Sequence, residues 1–282
     1  MGEIQVLTAE EVMATALATA GLEEVPEDSG IVYDSGRPIR KAMFGVDMEA
    51  AEILIAKQLG YDAVISHHPK GGSPMVNLYK VMDNQIQRMV QAGVPINKAQ
   101  KALAERQGEV ERNYHVSNFD RAVSAARVLD MTFICIHTPA DVITENTVQA
   151  HLDQCLAGNP LAKLKDVVAA LRKLPEYAKV PAGPAIRVGT DDSYAGKVWV
   201  AMAGGTGGGE AVAKAYFEAG VGTLVVMHMP ENVLKAVREQ NIGNVVVAGH
   251  MASDSIGINA IIAALEAKGV QVTRMSGVID PK

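Results

Sequence analysis

The feature that most constrains this fold is that the chain matches itself. Glu49 to Pro69 and Glu210 to Pro230 are both 21 residues long and align without a gap at an offset of 161. Each opens Glu-Ala, reads as helix followed by apolar strand, and closes His-x-Pro. Farther on, His137-Thr-Pro-Ala-Asp141 aligns with His250-Met-Ala-Ser-Asp254 at an offset of 113. That register also pairs Asn146 with Asn259, Ala150 with Ala263 and Leu152 with Leu265. The offsets differ by 48 residues, which an insertion in the first half accounts for. Such self-similarity predicts two copies of one supersecondary unit. The expected fold is therefore α/β: two similar α/β domains from an internal duplication, with a helical insertion in the first half.

The local pattern agrees. Short apolar runs at 31–33, 42–46, 63–65 and 132–136 read as strands in the first half. Runs at 197–202, 223–227, 244–248 and 270–275 read as strands in the second. Helices are expected between them, among them ones starting near Asn146 and Ser255. Residues 77–127 are polar and helix-prone, with breaks at Gly93 to Pro95 and near His115 to Asn118. Val180-Pro-Ala-Gly-Pro184 reads as a linker. The expected domains are 1–180, carrying the insertion, and 185–282, with a metal cleft between them.

Two histidines close the strand at 63–65, and Pro69 ends its ladder. Open α/β sheets bind ligands at the carboxyl ends of their strands. Facing halves would gather His67, His68, His137, Asp141, His250 and Asp254. Imidazoles and carboxylates are the ligand set of Zn, Fe, Mn, Co or Ni. Six candidates exceed one tetrahedral ion, so two divalent ions per chain, bridged by a carboxylate, are expected. Ions so paired acidify a shared water and polarise a substrate carbonyl or phosphoryl group. The alternative is that the histidines only cap strands by hydrogen bonding.

Composition removes other classes. The net charge is −6 and no stretch is basic, which argues against nucleic acid or an anionic membrane as partner. Two cysteines fit a reducing compartment and exclude a disulfide framework or a Cys-rich zinc site. No apolar run approaches membrane-spanning length and no signal peptide is evident. A soluble, cytoplasmic protein is expected.

His67-His68-Pro69, His137-Thr-Pro-Ala-Asp141, the loop Gly204 to Gly209 and Gly249-His250-Met-Ala-Ser-Asp254 together resemble the GTP cyclohydrolase 1 type 2 homolog family, also called the Ngg-interacting-factor-three family. The resemblance covers both halves. It implies two similar α/β domains, a dinuclear metal centre and a toroidal hexamer. Carried over by position, the metal ligands would be His67, His68, Asp141, His250 and Asp254, with Asp141 bridging. The chain departs from the family at three places. Asp254 stands where Glu is usual, Ser29 where Asn is usual, and the connection before His137, which carries the 48-residue excess over the second half, is longer than usual.

Other features stay open on the sequence. Gly204, Gly205, Thr206, Gly207, Gly208 and Gly209 join a strand to a helix start. Their amides would cradle an anion, or the glycines would only let two backbones approach. His137 is either a metal ligand, or a second-sphere group that orients Asp141 or shuttles protons. His228 and Glu210 are the candidate catalytic proton carriers, with plain structural roles as the alternative. The expected function is a metal-dependent, cyclohydrolase-like hydrolase of a small nucleotide-like or heterocyclic substrate. The alternative is a non-catalytic metal store, insertase or scaffold.

Overall fold

The computed structural model of the chain describes residues 6–282. In chain order the elements begin α1 (Ala9–Ala20), β1 (Gly30–Tyr33), β2 (Lys41–Gly45), α2 (Ala50–Gln58), β3 (Ala63–Ser66) and α3 (Gly72–Val76). A 3-10 turn, Leu78–Asp83, leads into α4 (Asn84–Ala92), α5 (Ile96–His115) and α6 (Arg121–Leu129). Then come β4 (Thr132–Cys135), α7 (Thr138–Leu156), α8 (Leu164–Leu171), α9 (Pro175–Ala178) and β5 (Ala185–Val188). The chain finishes with β6 (Val198–Val200), α10 (Gly209–Glu218), β7 (Thr223–Val226), α11 (Glu231–Gln240), β8 (Asn244–Val247), α12 (His250–Ala267) and β9 (Gln271–Met275).

These elements divide into two compact units whose segments interleave. Of the described residues, the first takes 6–81, Val110–Ile143 and Asp254–Asp280; the second takes Met82–Glu109, Thr144–Ser253 and Pro281–Lys282. The first unit holds a five-stranded sheet in the order β1-β4-β3-β2-β9. Only β1 is antiparallel to its neighbour. Strands β3 and β4 are buried along their whole length, as parallel strands covered on both faces must be. Met43, Met48, Ile53, Val64, Ala126 and Phe133 pack together on one side.

The second unit holds a four-stranded sheet in the order β5-β8-β7-β6. Here too the first strand runs antiparallel to the fourth, with a register shift inside the pair, and the other pairings are parallel. The first sheet has the same shift in β1. The halves are thus similar strand for strand, apart from β9.

Three features differ from the local reading. Helices α7 and α12 start at Thr138 and His250, eight and five residues earlier than their apolar periodicity suggests. Pro139 suits a first helical turn because its missing N–H has no partner there in any case. Strand β5 follows Pro184 at once, where the Pro and Gly residues read only as linker. Strand β9 pairs with β2 in the first sheet, a partner that no local pattern specifies. The helical hairpin falls as expected, with Gly93 at φ 111° capping α4.

Candidate metal centre

The parallel register sets the site. Gly45 pairs with Ser66, and Ser66 with Cys135, so β2, β3 and β4 end level. The ladder runs one step farther: the His67 amide donates to Gly45 O at 2.9 Å, and the Ile136 amide to Ser66 O at 2.9 Å. Asp47, His67, His68 and His137 therefore emerge side by side at one carboxyl edge of the sheet. Helix α7 starts directly after His137 and carries Asp141 in its first turn. Helix α12 brings Asp254 close to Asp141, and Gly257 is what lets it approach. A Cβ on Gly257 would lie 2.0 Å from Ala140 O.

Each imidazole is held by Nδ1. His67 Nδ1 lies 3.2 Å from Ile136 O, His68 Nδ1 lies 2.9 Å from Asp47 Oδ1, and His137 Nδ1 lies 2.7 Å from Asp28 Oδ2. All three partners can only accept, so each Nδ1 carries the hydrogen. In a neutral ring that leaves the lone pair on Nε2. His67 Nε2 stands 3.4 Å from Asp141 Oδ1 and 3.7 Å from Asp254 Oδ1. His68 Nε2 stands 3.6 Å from Asp254 Oδ2, and His137 Nε2 stands 3.8 Å from Asp141 Oδ2.

Those separations exceed a normal N–H···O hydrogen bond. Bonds of 2.0–2.2 Å in tetrahedral array put neighbouring ligand atoms about 3.3–3.6 Å apart. The His67–Asp141 and His68–Asp254 separations fall in that range and the other two lie just beyond it. One donor atom from each of His67, Asp141 and Asp254 lies within 4.8 Å of the others. The same holds for His67, His68 and His137. His67 is 1 % exposed and Asp254 is fully buried; the His68 side chain, at 21 %, is the open edge.

The electrostatics call for positive charge. Burial pushes the Asp254 carboxyl well above the usual carboxylate range, and neighbouring Asp141 pushes it the same way. Burial opposes a charge on His137, yet Asp141, Asp28 and Asp254 outweigh it and raise that imidazole to about 9. Burial lowers His68, against its bond to Asp47. Hydrogen bonds from His68 and then from Lys70, 2.6 Å away, hold Asp47 well below its ordinary value. A cation among these carboxylates relieves their repulsion. Cys135 is fully buried, with its thiol pushed up to about 12 by burial, so this edge offers no thiolate. The residues present suit a borderline divalent ion.

Asp28, Asp47 and Lys70 were not evident from sequence. Asp47 had a readable signal, since it follows a parallel strand in the position where His68 follows the next.

The remaining candidates lie in the second unit. His250 opens α12 and precedes Asp254 by four residues, one turn along the same helical face. His228 follows β7, is exposed, and sits with its ring centroid 4.6 Å from that of His250. Glu210 is an exposed carboxylate in the first turn of α10 that accepts from Asn232 Nδ2 at 2.9 Å. The glycine loop has a packing role. Gln85 Nε2 donates to Gly204 O at 2.7 Å and to Thr206 O at 2.6 Å. A Cβ on Gly204 or Gly208 would fall within 2.6 Å of the Gln85 side chain. Glu145 is held too: it pairs with Arg88, and its Oε2 accepts from the Met202 and Ala203 amides at 2.8 and 2.9 Å.

Neither a known family model nor a curated protein matches the chain. Solved structures do. The chain is similar to a NIF3 superfamily protein from Sphaerobacter thermophilus, with 36% identity and a TM-score of 0.93, over 97% of this chain and 99% of that one. It is similar in fold to reduced HcgD from Methanocaldococcus jannaschii, with 14% identity and a TM-score of 0.60, over 96% of this chain and 99% of that one. A Bacillus cereus protein related to NIF3 has 12% identity and a TM-score of 0.55, over 99% of both chains.

Proposed function

Because the chain belongs to the NIF3 superfamily, we propose that it holds two divalent ions and hydrolyses a small nucleotide-like or heterocyclic substrate. The observation that carries this reading is the common posture of the three imidazoles, each anchored at Nδ1 with Nε2 toward buried carboxylates. His67, His68, Asp141 and Asp254 are the ligands from the first unit. His250 is the fifth, on the argument that it shares a helical face with Asp254. Asp141 would help to hold both ions. When bound, such ions would supply an acidified water near neutral pH and a Lewis acid for the substrate.

The chain's own part is positioning and proton handling. Ile136 O and Asp47 fix the faces of His67 and His68. The partly open His68 edge admits substrate, and Lys70 beside it presents positive charge. His228 and Glu210 are the proton carriers, both exposed enough to exchange with solvent. A toroidal homo-hexamer, implied by the family resemblance, belongs to the reading. In its favour Leu54, Ile55 and Leu59 near α2 and Val128 on α6 are exposed apolar side chains in the first unit.

A second reading, a metal-binding assembly without turnover, draws on the depth of the cluster, where His67, Asp141 and Asp254 are buried. One experiment separates them. Protein is analysed for metal, then assayed on a nucleotide and heterocycle panel with added Mn, Zn or Fe. Turnover that His68→Ala abolishes together with metal supports the hydrolase. Two ions per chain without turnover supports the assembly. Absence of metal from both loaded and native protein overturns both.

A further inference from the structure

We propose that His137 is a further imidazole ligand of this centre, the third from the first unit beside His67 and His68, and that Asp28 is the residue that positions it. The inference rests on the metal reading above. Asp28 lies on the turn before β1, 0 % exposed, with its carboxylate committed on both oxygens. Its Oδ2 accepts from His137 Nδ1 and from Thr138 Oγ1, both at 2.7 Å. Its Oδ1 accepts from Ser29 Oγ at 3.2 Å. Ser29 Oγ in turn accepts from the His137 backbone amide at 3.0 Å. Ring and backbone of His137 are thus both fixed by one buried turn from about 108 residues earlier in the chain.

A strand-end cap would need only one of those bonds. This arrangement fixes the tautomer as well, and an imidazole with Nδ1–H bound to carboxylate is a common posture for metal-ligating histidine. The His137 ring centroid lies 4.7 Å from that of His67 and 5.9 Å from that of His68. The donor atoms of the three rings lie within 4.8 Å of one another. This many imidazoles beside carboxylates favour zinc, cobalt or nickel over magnesium or calcium, which prefer an all-oxygen set.

The test uses full-length protein loaded with Co(II), a spectroscopic stand-in for the native ion. X-ray absorption counts the imidazoles, and competition with a chelator gives affinity. His137→Gln is expected to lose one imidazole from the count and change the visible spectrum. Asp28→Asn keeps the size but removes the charge that holds the tautomer, and is expected to weaken binding about 10–100-fold. Thr138→Val removes a bond to Asp28 without touching the ring and is expected to bind within about threefold of the parent. Thermal melts establish which variants are folded; if one is not, the other carries the comparison. A folded His137→Gln with the parent's affinity, spectrum and imidazole count overturns the assignment and leaves the metal reading standing. Failure of the parent protein to bind Co(II) overturns the metal reading and the assignment with it.

Discussion

At the scale of single residues, Asp254 sets function against stability. Its carboxyl is buried and stands beside Asp141, so its folded value is raised above the unfolded one. A raised carboxylate destabilises the fold as pH climbs past the unfolded value, and fully so once pH exceeds the folded one. In metal-free protein Asp254→Asn should therefore stabilise at pH 8, by about 1–3 kcal/mol, and the gain should shrink toward pH 4. The same change should remove metal binding. Thermal melts of stripped protein at both pH values, beside calorimetric titration with zinc, check this; equal melting temperatures at pH 8 would contradict it. The residues named from sequence were those with a local signal: His67 and His68 at a strand end, Asp141 and Asp254 in a repeated motif. Asp28 had no such signal. It reaches His137 only because β1 pairs with β4, and that long-range register cannot be read from either segment alone.

At the scale of elements, close approach is what brings the side chains together. Gly257 lets α12 lie against Ala140, one residue from Asp141. Gly257→Ala should force the helix off and lower stability by roughly 1–3 kcal/mol, with weaker metal binding than the parent. Urea unfolding and zinc titration measure both, and a variant unchanged in both would show that the contact can relax. Gln85 does the corresponding work for the glycine loop in the second unit, donating to two carbonyls. Gln85→Ala should cost about 1–3 kcal/mol by leaving those carbonyls without their donor, read from the urea midpoint with metal content unchanged. Most strands were legible from short apolar runs. The early starts of α7 and α12 were not, because their first turns hold His, Pro, Ser and Asp, which locally read as loop. Those first turns are where the motif histidine and aspartate sit.

At the scale of the whole molecule, two units repeat one strand order, antiparallel first strand included. The gapless match of residues 49–69 with 210–230 pointed to that, since α2 with β3 and α10 with β7 are its structural counterparts. The destination of the last strand was hidden, since β9 has an alternating exposed face that suits an edge of either sheet. If the homo-hexamer holds, native mass spectrometry should show six chains, and Val128→Glu, at a position 83 % exposed in one chain, tests whether that face joins them. An unchanged hexamer would exclude Val128 from the interface. The most direct test of the account is anomalous diffraction from zinc-soaked crystals, recorded on both sides of the zinc edge. The account predicts a peak within about 2.0–2.2 Å of His67 Nε2 and a carboxylate oxygen of Asp141 or Asp254. Fully occupied zinc elsewhere on the chain, with no peak beside His67, would contradict it.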